Sequence, residues 1–112
     1  MELARIIIEA IAGKLGSDVL LLDLSGITII ADYFVIATGE STRQLRAIHE
    51  ALIEQLKEEH HITPLSTEGT GEAGWLLLDY GSVVVHLFSE AQRRRYQIEE
   101  LWNRARTVVR IA

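Results

Sequence analysis

Residues 75–88, WLLLDYGSVVVHLF, carry the clearest structural signal in the chain. Two apolar runs, 75–79 and 83–88, flank a short turn that contains Gly81. Apolar runs of this length on either side of a tight turn predict an antiparallel β-hairpin. The rest of the fold is best read outward from this hairpin.

The first strand of the hairpin has two faces, and both are largely apolar. Alternation with period 2 places Trp75, Leu77 and Asp79 on one face and Leu76, Leu78 and Tyr80 on the other. If the domain covers both faces, these residues form only core. If one face stays open, it exposes an apolar patch with an aromatic anchor, the usual composition of a protein-binding hot spot. The sequence leaves both alternatives open.

The residues before the hairpin predict two helices and two strands. Apolar spacing predicts an amphipathic helix over the first dozen residues, stopped near Gly13. The runs 19–23 and 33–38 predict strands, the first of them covered on both faces. Ser41, followed three residues later by Gln44, forms a capping box that opens a helix running to about residue 59.

The remaining segments are less regular. Residues 27–30 fit either a strand or an irregular connection. Any strand over 62–66 should be short or lie at a sheet edge, because Pro64 cannot donate a backbone hydrogen bond. The glycines of 69–74 predict a loop. A second capping box at Ser89 opens a C-terminal helix with one apolar face: Ile98, Leu101, Trp102, Ala105 and Val109. The predicted fold is α/β (mixed α+β), a small sheet with a β-hairpin, a crossover and flanking helices.

Composition bounds the class of protein. The chain has 112 residues, 48% of them hydrophobic, no Cys and one Pro, which predicts one domain over residues 1–112. It excludes a disulfide scaffold, a thiolate nucleophile and a Cys-based metal site. No apolar run approaches the roughly 20 residues that span a bilayer, and the N-terminus lacks a signal peptide, so we expect a cytoplasmic protein.

Charge is distributed unevenly along the chain. The net charge of −5 argues against a protein that mainly coats nucleic-acid phosphates. Residues 1–92 carry −9 and residues 93–112 carry +4. Either Arg104, Arg106 and Arg110 complement the dipole of the predicted last helix, or this basic patch makes an accessory contact with phosphate.

Short motifs that resemble catalytic signatures have simpler explanations. The glycines of 69–74 fit G-x-G-x-x-G but precede a strand, whereas a dinucleotide site must open a helix. Ser41 stands in a partial nucleophile elbow but is already used as a helix cap. His86 reads as a hydrogen-bonded, partly buried strand residue rather than a metal ligand.

Asp23, Asp32 and Asp79 each lie next to a predicted strand and could in principle meet as a two-metal site. A nucleotidyltransferase of this size should show Asp-x-Asp on one strand, and the sequence contains none. Turn and cap roles are favoured for all three.

Several blocks of residues together resemble the ribosomal silencing factor family, also called the Iojap family. They are DYFVI (32–36), Thr38-Gly39, Ser41 with Arg43-Gln44, Glu68-Gly69, the hairpin 75–88, and Arg95-Tyr96 with Ile98-Glu99 and Leu101-Trp102. The blocks cover nearly the whole chain in the family's order. The chain departs from the family pattern at two places. Ser82 stands where many members have Asp, and the segment 90–94 is more basic than in the family.

The resemblance implies a fold similar to that of nucleotidyltransferases without their catalytic carboxylates. It implies no enzyme activity, no cofactor and no metal. It implies a translational repressor that binds the large ribosomal subunit through its L-fourteen protein and sterically blocks the small subunit when nutrients are scarce. Positions carried over as the contact surface are Trp75, Tyr80, Gly81, Val83, Arg94, Arg95 and Tyr96, and the basic 90–94 segment leaves room for a minor contact with ribosomal RNA.

Two other functions remain as alternatives at this stage. One is a small magnesium-dependent nucleotidyltransferase-like enzyme that uses Asp23, Asp32 or Asp79. The other is a homodimeric scaffold, because a patch that binds a partner can also bind a second copy of itself.

Overall fold

A computed structural model describes residues 2–111, without the side chains of residues 99 and 101. Its helices are α1 (Glu2–Gly13), α2 (Thr42–His60), α3 (Glu90–Tyr96) and α4 (Ile98–Leu101). Its strands are β1 (Ser17–Asp23), β2 (Tyr33–Gly39), β3 (Ser66–Thr70), β4 (Trp75–Asp79), β5 (Val83–Ser89) and β6 (Arg106–Ile111). The strands form one sheet in the order β3-β4-β5-β2-β1-β6.

The centre of the sheet is the parallel pair β2 and β5, with Tyr33 opposite Val83 and Gly39 opposite Ser89. All the other strand pairs are antiparallel. Because β2 and β5 are parallel, the chain between them must cross over, and it does so through α2, β3 and β4. The mixed α+β architecture predicted from the sequence is confirmed.

Each face of the sheet has its own hydrophobic core. Helices α1 and α2 cover one face, where Ile7, Leu52 and Val85 are fully buried. The other face is covered by the chain after β5, with Ile98 and Trp102 packed on Phe34 and Phe88. The strands β1, β2 and β5 are therefore buried on both sides, which explains their unbroken apolar sequences.

The predicted helix starts and the hairpin are confirmed. The Ser41 hydroxyl accepts a hydrogen bond from the Gln44 amide, and the Ser89 hydroxyl accepts one from the Gln92 amide. Strands β4 and β5 pair antiparallel, with Leu77 opposite His86. Alternate residues of β4 are buried, as period 2 predicts.

The predicted C-terminal helical face is wrong. The helix breaks at Gln97, which adopts the left-handed conformation with φ 45°, and α4 ends at residue 101. Residues 106–111 form a strand against the open edge of β1. That edge offers a ladder of backbone hydrogen bonds to the β-branched segment TVV (107–109), and this tertiary partner outweighs the helical spacing.

The helix-dipole role predicted for the C-terminal arginines is wrong for the same reason. The Arg106 guanidinium lies 3.0 Å from the Asp23 carboxylate, and that of Arg110 lies 3.3 Å from Asp18. Both arginines therefore pair with carboxylates of β1 across the sheet edge.

The region around Pro64 also differs from expectation. The strand begins at Ser66, after the proline, and includes Gly69 and Thr70, which were expected in a loop. A tight turn over 71–74 then leads into β4, with the Gly74 amide donating to the Gly71 carbonyl. As expected for a strand near proline, β3 is short and lies at the sheet edge.

Candidate docking groove

An apolar groove opens on the sheet face opposite α1 and α2. Trp75, His86, Tyr96 and Ile98 line it, and its volume is about 230 Å³. We call the cavity that these four residues line the hairpin groove. Its floor comes from β4 and β5, and its far wall comes from the junction between α3 and α4.

The register of the hairpin positions the floor. Trp75 lies opposite Phe88, and Leu77 lies opposite His86. Directly opposed residues in an antiparallel pair project on the same face. Trp75 and Leu77 are consequently only partly buried and pack against the second core, whereas Leu76 and Leu78 are buried beneath α1 and α2.

Hydrogen bonds fix the start of α3 against the start of β4. The Ser89 amide donates to the Gly74 carbonyl at 2.9 Å, and the Gln92 side chain donates to the Ala73 carbonyl at 3.2 Å. Gly74 has φ +75°, a conformation that glycine adopts at little cost. These contacts hold the wall of the groove at a fixed distance from Trp75.

The wall owes its shape to the helix break at Gln97. Tyr96 ends α3 and Ile98 begins α4, so the two side chains flank the break. Tyr96 is 55% exposed, its ring lies 6.1 Å from that of Phe88, and the Arg95 guanidinium stands 5.9 Å from its centroid. The wall therefore presents an accessible aromatic ring with a cation beside it.

His86 is the buried polar residue of the floor, with only 6% of its surface exposed. Its ring meets Phe34 edge to face at 4.7 Å and stacks on Phe88 at 6.1 Å. Neither ring nitrogen has a hydrogen-bond partner among the described residues. Burial lowers the pKa of His86 to about 4, so the imidazole is neutral at pH 7. The expectation that His86 is a hydrogen-bonded strand residue is therefore wrong, because its neighbours are aromatic.

Two carboxylates lie on the same face of the sheet as the floor. Glu68 of β3 stands opposite Leu77 and is exposed, and Asp79 shares the face of Trp75 through the alternation of β4. Asp79 accepts a hydrogen bond from the Gly81 amide at 2.8 Å. The groove is thus apolar inside, acidic along β3 and β4, and basic at Arg95.

The structure brings together some of the positions predicted as contacts and separates others. Trp75 and Tyr96 both line the groove, Arg95 is exposed beside Tyr96, and Arg94 is exposed on α3 in a different depression that Asp18 also lines. Tyr80 and Val83 instead lie in the core under α1 and α2. Burial raises the pKa of Tyr80 to about 12. Gly81 forms the β4–β5 turn, at the end of β4 away from Trp75.

Sequence reasoning missed two groove residues, His86 and Ile98. His86 could have been found from the hairpin register, which places it opposite Leu77 on the face of Trp75. Ile98 was assigned to a continuous helix, and no sequence signal announced the break at Gln97.

The three aspartates considered for a metal site have separate roles. Asp23 accepts hydrogen bonds from the Ser25 amide and hydroxyl, which lower its pKa, and it pairs with Arg106. Asp79 caps the hairpin turn, and Asp32 is exposed. Among the described side chains, which leave out residue 99, no group of three or more His, Asp or Glu is arranged to hold a metal ion. None of the described helices is long and apolar enough to cross a membrane.

Comparison with known sequences finds one family along the chain. The family described as "Ribosomal silencing factor during starvation" matches residues 1–111. A Bacillus subtilis protein named ribosomal silencing factor is 40% identical over 104 residues, covering 93% of this chain and 87% of that protein. A mouse protein named "Mitochondrial assembly of ribosomal large subunit protein 1" is 40% identical over 76 residues, covering 63% of this chain and 32% of that protein.

Solved structures agree with the sequence matches. A crystal structure of a Chromobacterium violaceum protein superposes with a TM-score of 0.85 at 36% identity, covering 91% of this chain and 84% of that one. A crystal structure of a Bacillus halodurans protein superposes with a TM-score of 0.82 at 35% identity, covering 96% of this chain and 97% of that one. With the family match along residues 1–111, these relatives show that the chain belongs to the ribosomal silencing factor family.

Proposed function

We propose that this protein represses translation in the cytoplasm by binding the large ribosomal subunit through its L-fourteen protein and sterically blocking the small subunit. The observation that carries the proposal is the hairpin groove, an open apolar surface with two aromatic side chains in a family of ribosomal silencing factors. Aromatic anchors around a small pocket are typical of binding hot spots. The name of the mouse relative supports the large subunit as the particle bound.

The proposed mechanism is occlusion, without catalysis, cofactor or metal. The domain is taken as one unit over residues 1–112, and its described part measures about 34 × 33 × 24 Å. A body of that size on the face where the subunits meet is thick enough to keep them apart. Repression then depends only on occupancy of the large subunit, so it should be reversible and set by affinity.

Contact with ribosomal RNA is a minor part of the proposal. Arg94 and Arg95 are exposed on α3 and are free to approach phosphates. Arg93 is buried and bonded to the sheet, and Arg106 and Arg110 pair with β1. We therefore expect only a modest dependence of binding on salt, from the few exposed arginines of this part of the chain.

The free protein has the same groove available for a second copy of the chain. Pairing through the groove and binding to the ribosome would then exclude each other, because both use Trp75 and Tyr96. Light scattering on the isolated protein, with and without large subunits, measures whether a dimer forms and whether subunits dissociate it.

Sedimentation through a sucrose gradient with separated ribosomal subunits tests the proposed function. The protein should travel with the large subunit and stay at the top of the gradient with the small subunit. Failure to travel with the large subunit at micromolar concentration would contradict the proposal.

A further inference from the structure

The floor of the hairpin groove contains a polar group that the fold itself does not use. His86 is 6% exposed and lines the groove, and both of its ring nitrogens lack a hydrogen-bond partner among the described residues. Buried polar groups are nearly always paired, because an unpaired one loses its hydrogen bonds to water without replacement. The position of this imidazole therefore suggests a partner that comes from outside the chain.

The described surroundings of His86 offer it no internal partner. Its neighbours across the sheet are Leu77 on β4 and Ile36 on β2, and its ring contacts are Phe34 and Phe88. A phenylalanine or leucine would suit this environment better than an imidazole does. Of the described surroundings, the hairpin groove is the open one that His86 lines.

The chemistry of the groove selects the kind of group that can reach His86. A neutral imidazole has one donor nitrogen and one acceptor nitrogen, so a group able either to donate or to accept can pair with whichever nitrogen it meets. A charged group would lose its water between Trp75 and Ile98, and the neutral ring could not compensate the charge. Glu68 and Asp79, on the same sheet face as the floor, further disfavour an anion. A hydroxyl or carboxamide at the end of an apolar stem meets all three conditions.

We propose that His86 is a specificity-determining residue, and that the hairpin groove accepts an uncharged side chain of a large-subunit protein whose hydroxyl or carboxamide hydrogen-bonds the imidazole. The inference rests on the proposed function. It adds the chemistry by which the groove distinguishes its partner from other apolar segments, because a purely apolar side chain would leave the imidazole unpaired.

Two substitutions at one position test this role. His86→Phe keeps a planar ring but removes both hydrogen-bonding nitrogens, and His86→Gln keeps one donor and one acceptor. Binding to purified large subunits and the thermal unfolding midpoint are measured for each. We expect His86→Phe to weaken binding at least tenfold while its midpoint stays at or above that of the unmodified protein. We expect His86→Gln to bind within about threefold of the unmodified protein.

A matched control separates binding from folding. Phe34→Leu alters the ring that meets His86 edge to face without removing a polar group. It should lower the unfolding midpoint and change binding less than threefold. If His86→Phe does not fold, His86→Leu replaces it in the comparison with His86→Gln.

The outcomes distinguish this inference from the proposed function. Equal binding by folded His86→Phe (or its Leu replacement) and the unmodified protein would overturn the role of His86 and leave ribosome binding intact. Equally weak binding by the Gln variant and the apolar variant would also overturn it. If the unmodified protein does not bind large subunits, the proposed function itself is contradicted.

Discussion

The Arg93 guanidinium donates a buried hydrogen bond of 2.9 Å to the Thr38 hydroxyl, which joins α3 to the end of β2. The same group donates to the Asp18 carbonyl at 2.7 Å. A charged side chain that is 7% exposed is therefore a structural link between the helix that carries Tyr96 and two strands. The rigidity of the groove wall depends on this link.

Replacing Arg93 should destabilise the fold. Arg93→Met keeps much of the aliphatic volume but leaves the Thr38 hydroxyl and the Asp18 carbonyl without this donor. We expect a loss of about 3 kcal/mol in the free energy of unfolding, measured by urea denaturation. Arg94→Met, on the exposed side of the same helix, is the control and should change stability by less than about 0.5 kcal/mol. Equal stability of the two variants would contradict a structural role for Arg93.

Trp75 should supply much of the binding energy in the groove. Trp75→Ala is expected to weaken binding to large subunits by about 2 kcal/mol or more, a loss of roughly 30-fold. Trp102→Ala is the matched control, because Trp102 packs edge-on against Phe34 at 5.5 Å but does not line the groove. That variant should lose stability and keep its affinity when folded. Co-sedimentation unchanged by Trp75→Ala would remove the tryptophan from the contact surface.

Folding stability should decrease in mild acid because of His86. Burial lowers its pKa to about 4, whereas an unfolded histidine titrates near 6.5. Between these pH values the unfolded chain binds a proton on His86 that the folded chain does not. The free energy of unfolding is therefore unaffected by this residue above about pH 6.5, and it falls by up to about 3 kcal/mol as the pH approaches 4.

Denaturation at pH 7.0 and 5.0, in the unmodified protein and in His86→Phe, measures this contribution. Other groups titrate equally in both proteins, so the difference between them isolates the histidine. The free energy of unfolding of His86→Phe, relative to that of the unmodified protein, should be larger at pH 5.0 than at pH 7.0. A gap independent of pH would show that His86 is not buried in neutral form.

Gly69 should tolerate no side chain. It lies on β3 opposite Leu76 with φ +86°, and an added Cβ would come within 2.1 Å of the Trp75 carbonyl oxygen. Gly69→Ala should lower the free energy of unfolding by about 1–3 kcal/mol. It should also weaken binding to the large subunit, because it displaces Trp75. A Cβ added at Gly13 has no neighbour within 4 Å. Gly13→Ala should therefore raise the free energy of unfolding by roughly 0.4–1 kcal/mol. Thermal unfolding and sedimentation of both variants check these expectations.

Local signals predicted the parts of the fold that depend on short stretches of chain. The hairpin follows from two apolar runs around one glycine turn, and the helix starts follow from Ser41 and Ser89 as caps. Alternation along β4 also predicted which side chains share the face of Trp75. These features are fixed by neighbours within a few residues.

The remaining features depend on contacts between distant segments. Residues 106–111 satisfy a helical pattern and become a strand only because β1 offers an open edge. The groove wall exists because Gln97 adopts the left-handed conformation, which no local motif required. The unpaired state of His86 depends on which residues three strands place around it. Such facts follow from the assembled sheet and not from spacing along the chain.

Inhibition of subunit joining tests the central claim most directly. Large subunits are incubated with the protein, small subunits are added, and light scattering follows the formation of whole ribosomes. We predict that the unmodified protein slows and reduces joining in proportion to its occupancy, and that Trp75→Ala inhibits only at concentrations roughly 30-fold higher. Normal joining on large subunits saturated with the unmodified protein would contradict the account.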